Sequence, residues 1–350
     1  MSRLWRRVRS TPGWVLSLAL VVLAGLAGGG VLLFGPGNGG THPSASSGSP
    51  NAPTTAPVSP ATTPATTPAT TPRSTRTPPH VMIIMMENES TSSILGNRSL
   101  PYINGTLASH YPVIEHSYAV AHPSLPNYLE LSSGSTWGVT TDCPPGPGCR
   151  GGSNLAHQLD VAGISWAGYM ENIPYAGYAG GDTGGDDGYG DPLYQVHHNP
   201  FMYYPDLASE LPAHVKPLTS MIADLDAPDP PAFVWVTPNM VHDMHDGPMS
   251  VGDKWLSTTI PAVQATSWYQ QGGTIVVTWD EGAESDTSGL AGGNGGHIAG
   301  FVISRSLLDA PADSVPVDQA GMLRSIEQAY GVAPINDAAI PAHGSLPGLP

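Results

Sequence analysis

The stretch GTIVVTWDEG, residues 273–282, is the part of the sequence that decides the fold. Its first seven residues carry no charge and are rich in β-branched side chains, which is typical of a strand buried on both faces. Two acids, Asp280 and Glu281, follow directly. Adjacent carboxylates at the end of a buried strand repel each other unless a positive charge lies between them. The stretch therefore predicts a central strand with a cation bound at its end.

Other apolar runs along the chain predict further strands of the same sheet. They lie at 80–86, 164–170, 232–238 and 298–304. Strands that alternate with helices predict an α/β fold, with a mostly parallel central sheet flanked by helices. In such sheets, binding sites form outside the carboxyl ends of the strands. The intervening helices are predicted near 102–110, 125–132, 153–162, 217–224, 253–270 and 317–330.

Polar residues follow three of these strands at the point where each one ends. Glu87–Ser90 follow the first, Asn239–Gly247 follow the run at 232–238, and Asp280–Gly282 follow the run at 273–279. Such residues also cap helices and form polar turns. Their convergence on one sheet edge instead favours a site for one divalent cation, because carboxylate and amide oxygens are hard ligands. Calcium, magnesium or manganese suits such ligands better than zinc or iron.

A short stretch, HPSLPNYLE at residues 122–130, places Ser124 between two prolines. Proline, serine and asparagine are ordinary turn residues, so a surface turn is one interpretation. The other is that the prolines fix the backbone and hold Ser124 as a nucleophile. A nearby cation would lower the pKa of its hydroxyl, and a histidine could protonate the leaving group and then activate water.

The charge of the chain excludes one large class of function. All 28 Asp and Glu lie in residues 80–350, together with only six Lys or Arg, which gives this part a formal charge of −22. A surface of that sign repels a phosphate backbone, so we expect no nucleic-acid partner.

The N-terminal region predicts export rather than catalysis. Four arginines within residues 2–9 precede an uncharged apolar run at 14–34, long enough to cross a bilayer with the C-terminus outside. A cleaved signal peptide has the same features and stays an alternative. The tetrapeptide ATTP is repeated three times within a Pro/Thr-rich segment that cannot form a core. The predicted organisation is a basic flank at 1–13, an anchor or signal peptide at 14–35, a stalk at 36–79 and a catalytic domain at 80–350.

Two loops carry further signals. Cys143 and Cys149 lie six positions apart in a Pro/Gly loop, and we predict a local disulfide, with a metal pair as the weaker alternative. The segment GGDTGGDDGYGD at 180–191 resembles a calcium loop in composition but lacks the spacing of an EF-hand. We interpret it as flexible surface.

Four motifs, in this order, resemble those of the bacterial phosphoesterase family of acid phosphatases and phospholipases C, within the alkaline phosphatase superfamily. They are MMENES (85–90), HPSLPNYLELSSG (122–134), PNMVHDMHDG (238–247) and VVTWDEG (276–282). The similarity extends over most of residues 80–335, and it is strongest toward secreted acid phosphatases of mycobacteria. It implies an alkaline phosphatase-like fold, a single metal site, and hydrolysis of phosphate monoesters such as phosphatidylinositol 3-phosphate.

The resemblance also implies roles for individual residues. It makes Ser124 the nucleophile and a neighbour of the metal, whose other ligands are Glu87, Asn88, Asp280 and Glu281. Many relatives have an aspartate at the last of these positions. His122 and His245 are implied in catalysis, while Asp246, Asn127 and His297 are predicted to contact substrate. His242 stands where the family pattern has asparagine, and its role is left open.

We therefore expect an extracytoplasmic acid phosphatase, anchored or secreted, that acts as a monomer on a phosphate-ester substrate through a phosphoserine intermediate. Two alternatives remain at this point. A phospholipase C or other phosphodiesterase could use the same residues. A non-enzymatic cation-binding surface domain would explain the acidic charge and the stalk, but it has no use for a hydroxyl held beside the ligands.

Overall fold

The strands are described first because they carry the site. The structure is a computed structural model that describes residues 77–349. Its strands are β1 Val81–Met86, β2 Ser117–Tyr118, β3 Trp166–Met170, β4 Thr183–Asp186, β5 Pro192–Tyr194, β6 Val215–Pro217, β7 Phe233–Thr237, β8 Thr274–Trp279, β9 His297–Ile298, β10 Gly300–Ser304 and β11 Val317–Asp318.

The helices vary widely in length. The α-helices are α1 Thr91–Ile94, α2 Ala108–His110, α3 Ser124–Ser133, α4 Leu155–Ala162, α5 Leu211–His214, α6 Met221–Leu225, α7 Met249–Ala265, α8 Ser267–Gln270 and α9 Gln319–Tyr330. A π-helical turn covers Ile103–Leu107. Short 3₁₀ turns cover Val196–His198, Pro200–Tyr203, Pro205–Leu207, Leu218–Ser220, Arg305–Leu307, Asn336–Ala339 and Pro341–His343.

Six strands form the central sheet, in the order β10-β8-β1-β7-β3-β6. Only β10 runs antiparallel to its neighbour; the other pairs are parallel. This confirms the predicted α/β fold with a mostly parallel sheet. In the pairing of β1 with β8, Met86 lies opposite Trp279, so both strands end at the same level. The residues that follow them must therefore meet at one edge of the sheet.

Both faces of the sheet are covered, as the apolar strands require. Every residue of β1 is buried, and its side chains alternate between two hydrophobic clusters. Val81, Ile83 and Met85 pack with α3, α4 and α9. Met82, Ile84 and Met86 pack with α6, α7 and α8. Helix α3, which begins at Ser124, is thus held against the sheet directly beside the ends of β1 and β8.

Several elements differ from the sequence-based expectation. The run at 298–304 is two strands, because the chain leaves the small sheet β11-β2-β9 at Ile298 and joins the central sheet at Gly300. The helix expected at 253–270 starts earlier, at Met249, and is interrupted at Thr266, whose extended backbone and side chain cap α8. The helix expected near 217–224 starts as a 3₁₀ turn and follows an unpredicted edge strand, β6.

The predicted disulfide joins Cys143 and Cys149, with a Cα–Cα distance of 6.1 Å. Its formation removes the alternative of a cysteine metal pair. The segment at 180–191 contains β4 and the turn that connects it to β5 in a hairpin. No helix within residues 77–349 is long and apolar enough to span a bilayer. The anchor or signal peptide at 14–35 and nearly all of the stalk at 36–79 lie outside the described residues, so these stay predictions.

Replacing Leu129 by alanine tests how strongly α3 is held. Its side chain is fully buried between α3 and the sheet, so Leu129→Ala should lower the free energy of unfolding by about 2–5 kcal/mol. The matched control is Val161→Ala on α4, because Val161 is 76% exposed, and its effect should stay within about 0.5 kcal/mol. Urea denaturation measures both. Equal, small effects would contradict this packing of α3.

Candidate active site

The ends of β1 and β8 bring two pairs of predicted ligands together. Glu87 is fully buried after β1, and Asp280 and Glu281 are buried after β8. The main-chain nitrogen of Asn88 donates to Asp280 Oδ1 at 3.0 Å, which ties the two strand ends to each other. Asn88 has a φ of 52°, a left-handed conformation that asparagine tolerates better than most residues. The local backbone therefore turns the polar side chains inward.

Ser124 is the first residue of α3 and points its hydroxyl into this group. Its Oγ lies 3.1 Å from Glu87 Oε2, 3.3 Å from Glu281 Oε1 and 3.4 Å from Asn88 Oδ1. The residue is only 3% exposed. Ser124 is therefore not a surface turn residue. It is buried, and three side-chain oxygens from two strand ends surround its hydroxyl.

The oxygens around Ser124 fit a divalent cation. Asn88 Oδ1 lies 3.0 Å from Glu87 Oε2 and 3.2 Å from Glu281 Oε1. An amide nitrogen in that place donates to both carboxylates and satisfies the metal-free site, whereas an oxygen in that place is a ligand for a cation. Asp280 binds the main chain of Asn88 through Oδ1. Its second carboxylate oxygen, Oδ2, is buried and has no hydrogen-bond partner. An oxygen-only donor set of this kind suits magnesium, calcium or manganese.

Burial and mutual repulsion dominate the electrostatics of the metal-free site. Burial is the main cause that raises the pKa of Glu87 well above its usual value, and the charges of Asp280 and Asp243 add to it. Burial, then the charge of Asp280, raises the pKa of Glu281 to about 9. Burial raises the pKa of Asp280 to about 6. Within the described residues, no Lys or Arg forms an ion pair or hydrogen bond with these acids. A bound cation or a proton must therefore offset their charge.

His245 and Asp246 form a pair at the mouth of the site. His245 Nδ1 lies 2.8 Å from Asp246 Oδ1, which places the other ring nitrogen, Nε2, toward the site at 3.2 Å from the amide of Asn88. Burial raises the pKa of Asp246, and the facing carboxyl of Asp187, in the hairpin of β4 and β5, adds to the effect. This arrangement orients an imidazole toward the site, and the predicted catalytic role of His245 stays a prediction.

The structure gives His122 a different setting from the one expected. Its Nδ1 contacts Glu281 Oε2, and its Nε2 lies 3.0 Å from the carbonyl oxygen of Asp286. Both ring nitrogens are therefore occupied by protein groups. The geometry makes His122 a support for the carboxylate of Glu281, and its predicted catalytic role stays a prediction.

Two predicted substrate contacts are used elsewhere in the fold. Asn127 is fully buried, and its amide bonds the backbone at Val120, Ala121 and Pro123, so no polar atom is left for a substrate. It fixes the loop that leads into Ser124. The ring of His297 stacks on Tyr118, and its Nε2 lies 2.7 Å from the carbonyl oxygen of Glu115. The bonds of Asn127 leave it no role in substrate binding, and the predicted substrate contact of His297 stays a prediction.

His242, which departs from the family pattern, pairs with a carboxylate. His242 Nδ1 lies 2.9 Å from Glu171 Oε2, at the end of β3. The backbone nitrogen of Asn239 donates to the same oxygen of Glu171. The pair thus ties the loop after β7 to the end of β3, and this is the setting that the structure gives His242.

Three further residues complete the site: Tyr128 and His198 were not predicted from the sequence, and Asp243 was predicted only as part of the segment Asn239–Gly247. Tyr128, one turn after Ser124 on α3, donates its hydroxyl to Glu87 Oε1. His198 lies 3.3 Å from the same oxygen. The carboxylate of Asp243 accepts a hydrogen bond from the backbone nitrogen of His245. Its backbone carbonyl accepts one from the backbone nitrogen of Glu87. Glu87, His198 and Asp243 each offer a ligand atom within 4.8 Å of the others, so this group could hold a metal ion.

The chain is similar in sequence to known proteins. A sequence model described as the Phosphoesterase family matches residues 97–333. A phosphatidylinositol-3-phosphatase of Mycobacterium tuberculosis is 33% identical over 204 residues, which cover 58% of this chain and 63% of the relative. A probable acid phosphatase of Kluyveromyces lactis is 27% identical over 251 residues, which cover 70% of this chain and 56% of the relative. The chain thus spans less than two thirds of the length of these relatives.

The fold also has a solved counterpart. A protein in the alkaline phosphatase superfamily from Vibrio parahaemolyticus superposes with a TM-score of 0.50 and 14% identity, covering 75% of this chain and 70% of that chain. At this level of identity the likeness concerns the fold. It confirms the alkaline phosphatase-like architecture expected from the sequence.

Removing divalent cations should make stability strongly dependent on pH. The raised pKa values mean that the metal-free folded protein binds protons more tightly than the unfolded chain does. Its stability should therefore fall as pH rises above about 4, the ordinary carboxyl range, through the values of about 6 for Asp280 and about 9 for Glu281. Thermal melts with EDTA should show this fall, and magnesium or manganese should restore stability more at pH 8 than at pH 5.

Two acids outside the site provide an internal control. Burial and nearby acids raise the pKa of Glu130 to about 8, and burial raises that of Glu327 to about 8. Glu130 and Glu327 make the pH dependence of stability the same with and without metal. The difference between the melting temperatures measured with EDTA and with metal, at each pH, therefore reports on the site alone. Superimposable curves across the pH range would contradict a cation at this position.

Proposed function

This chain belongs to the Phosphoesterase family, and on that premise we propose that it is a metal-dependent phosphomonoesterase that forms a phosphoserine intermediate. The observation that carries the proposal is the position of Ser124, whose hydroxyl lies 3.1–3.4 Å from three ligand-type oxygens. A pure binding site gains nothing from a hydroxyl held there. A site that transfers a phosphoryl group to that hydroxyl needs it.

Ser124 attacks phosphorus in the first step. Its Oγ forms the new O–P bond while the bond to the leaving alcohol breaks. Glu87 Oε2 and Glu281 Oε1 lie close enough to accept the hydroxyl proton. The start of α3 is fixed by the bond from the main-chain nitrogen of Leu125 to Asp142 Oδ1 at 2.9 Å, so the nucleophile is positioned before substrate arrives.

His245 transfers the proton that the leaving group needs. Its Nε2 faces the site, and Asp246 holds the opposite nitrogen, which orients the ring and stabilises its protonated form. The imidazolium donates a proton to the leaving oxygen. The neutral ring then takes a proton from the water that attacks the phosphoserine. As the bond between phosphorus and Ser124 Oγ breaks, the carboxylate that took the hydroxyl proton returns it to Oγ, and inorganic phosphate leaves.

Glu87, Asn88, Asp280 and Glu281 would hold a divalent cation next to Ser124. When bound, the cation supplies positive charge that lowers the pKa of the hydroxyl and offsets the charge of the phosphoryl oxygens. This supply matters here because the carboxylates would otherwise repel an anionic substrate. His122 keeps Glu281 in place through its contact with Oε2.

The substrate class follows from the relatives and from the chemistry. Two relatives are named as a phosphatidylinositol-3-phosphatase and a probable acid phosphatase. We propose phosphate monoesters as substrates, with phosphatidylinositol 3-phosphate as one candidate. A diesterase is the alternative to test, since the same nucleophile and cation could serve it.

We further propose that the protein works outside the cytoplasm, as a monomer. The disulfide between Cys143 and Cys149 supports an oxidising compartment. The basic and apolar segments predicted at 1–13 and 14–35 would direct export, either as an anchor or as a signal peptide.

Replacing Ser124 by alanine should abolish turnover. We expect kcat on p-nitrophenyl phosphate to fall on the order of 10³-fold or more, because the covalent route is lost. The control is Ser132→Ala on the same helix, whose hydroxyl bonds the carbonyl of Tyr128 and the hydroxyl of Tyr204, and it should stay active. Bis-p-nitrophenyl phosphate is assayed in parallel. Near-normal activity of Ser124→Ala would reject the proposal, and faster cleavage of the bis-ester would favour the diesterase.

Replacing His245 by glutamine should matter most for poor leaving groups. Without a proton donor, kcat/KM on an alkyl phosphate such as glycerol 2-phosphate should fall about 10²–10⁴-fold. The loss on p-nitrophenyl phosphate should be smaller, because nitrophenolate leaves without protonation. The control is His110→Gln, which removes an exposed histidine paired with Asp309. Equal losses on both substrates would argue against His245 as the general acid.

A further inference from the structure

Gln319 is a fully buried amide between the segment that carries the acid pair and the segment that leads to Ser124. It is the first residue of α9. Its Nε2 donates to the carbonyl oxygen of Asp280 at 2.5 Å, and its Oε1 accepts from the main-chain nitrogen of Val120 at 2.8 Å. One partner can only accept and the other can only donate, and a primary amide supplies both complements.

The first of these bonds fixes the peptide unit that joins Asp280 to Glu281. Gln319 holds the carbonyl oxygen of this unit, and the N–H of the same unit donates to Asp280 Oδ1 at 2.5 Å. A planar peptide unit that is bonded at both ends cannot turn without breaking one of the bonds. The two acids therefore keep their directions. Glu281 keeps its Oε1 at 3.3 Å from the hydroxyl of Ser124.

The second bond holds the loop that precedes α3. Val120 lies four positions before Ser124, and its main-chain nitrogen also donates to Asn127 Oδ1 at 3.0 Å. Asn127 thus holds this loop from α3, and Gln319 holds it from α9. Because Gln319 reaches Asp280 at the same time, the length of one side chain helps to set how far the serine lies from the acids.

The start of α9 is itself fixed, so Gln319 is held firmly. Asp318, the residue before it, accepts the main-chain nitrogen of Gly321 at 3.1 Å and caps the helix. The other oxygen of Asp318 lies 2.6 Å from Nδ1 of His343, in the C-terminal segment. Both residues are buried. A side chain presented from such a fixed position can hold two segments at a defined separation.

We propose that Gln319 is a positioning residue that sets the separation between Ser124 and the acid pair Asp280 and Glu281. The inference rests on the proposed function, because this separation matters for the rate only when Ser124 attacks phosphorus. Gln319 bonds protein groups through both ends of its amide, so it acts through the two segments that it joins. A displacement of about 1 Å at a reacting group can cost on the order of 10² in rate.

Gln319→Met removes both hydrogen bonds and keeps a side chain of similar length. In the full-length protein supplied with magnesium or manganese, kcat on p-nitrophenyl phosphate should fall about 10–100-fold. KM should hardly change, because no phosphate contact is lost. The control is Gln158→Met on α4, whose amide donates to the carbonyl oxygen of Ala333. It should lower the melting temperature without changing kcat, which is the behaviour of a merely structural residue.

Gln319→Glu tests the two bonds themselves, and it covers the case in which Gln319→Met fails to fold. A protonated carboxyl has a donor and an acceptor, as the amide does, and burial favours this form at pH 5. A carboxylate has no proton to donate to the carbonyl oxygen of Asp280. The ratio of variant to wild-type kcat should therefore fall about tenfold or more between pH 5 and pH 8. Titrations that both proteins share cancel in this ratio.

The outcomes separate this inference from the proposed function. Wild-type kcat in Gln319→Met, or a ratio for Gln319→Glu that stays constant from pH 5 to pH 8, would overturn the role of Gln319. If Ser124→Ala is inactive in the same assay, the proposed function stands in either case. An active Ser124→Ala would instead remove the proposed function and, with it, the role of Gln319.

Discussion

The structure depends on one electrostatic constraint, the burial of several carboxylates at one sheet edge, where no Lys or Arg of residues 77–349 pairs with them. Glu87, Asp280 and Glu281 follow adjacent strands that end at the same level, and Asp243 bonds the backbone beside them. Such a cluster is tolerable only when protons or cations offset its charge. The hydrophobic sheet therefore does more than fill the interior, because it holds these acids close enough to bind a cation. Stability and chemistry are coupled through the same four side chains.

Much of this edge could be predicted from the sequence, for a simple reason. A fully apolar run that ends in two polar residues marks both a buried strand and what lies at its end. Glu87, Asn88, Asp280 and Glu281 have this pattern, and parallel strands bring their carboxyl ends together. Ser124 was harder, because a Pro-Ser-Leu-Pro segment is equally typical of a turn. Its assignment depended on the strand-end acids and on the family resemblance.

The remaining parts of the site could not be predicted because their partners are set only by tertiary packing. His198 lies in a short 3₁₀ turn that follows no predicted strand, so no periodic pattern brings it near Glu87. Tyr128 has the i, i+4 spacing from Ser124, but an aromatic residue on a helix is usually just core. Asn127 looked like a site residue and instead bonds the loop before α3. Edge strand β6 has only three residues, one a lysine and one a proline, too few for a pattern.

The hydrogen bond between the strand ends has a consequence for how the protein is made. Asn88 and Asp280, the partners in that bond, are 192 positions apart in the chain. Contacts between such distant positions form late, because closing a long loop costs entropy before the contact can repay it. A polypeptide that ends before residue 280 contains Ser124 and Glu87 but lacks Asp280 and Glu281. The set of side chains around Ser124 is therefore complete only after residues 280 and 281 have been made and β8 has paired with β1.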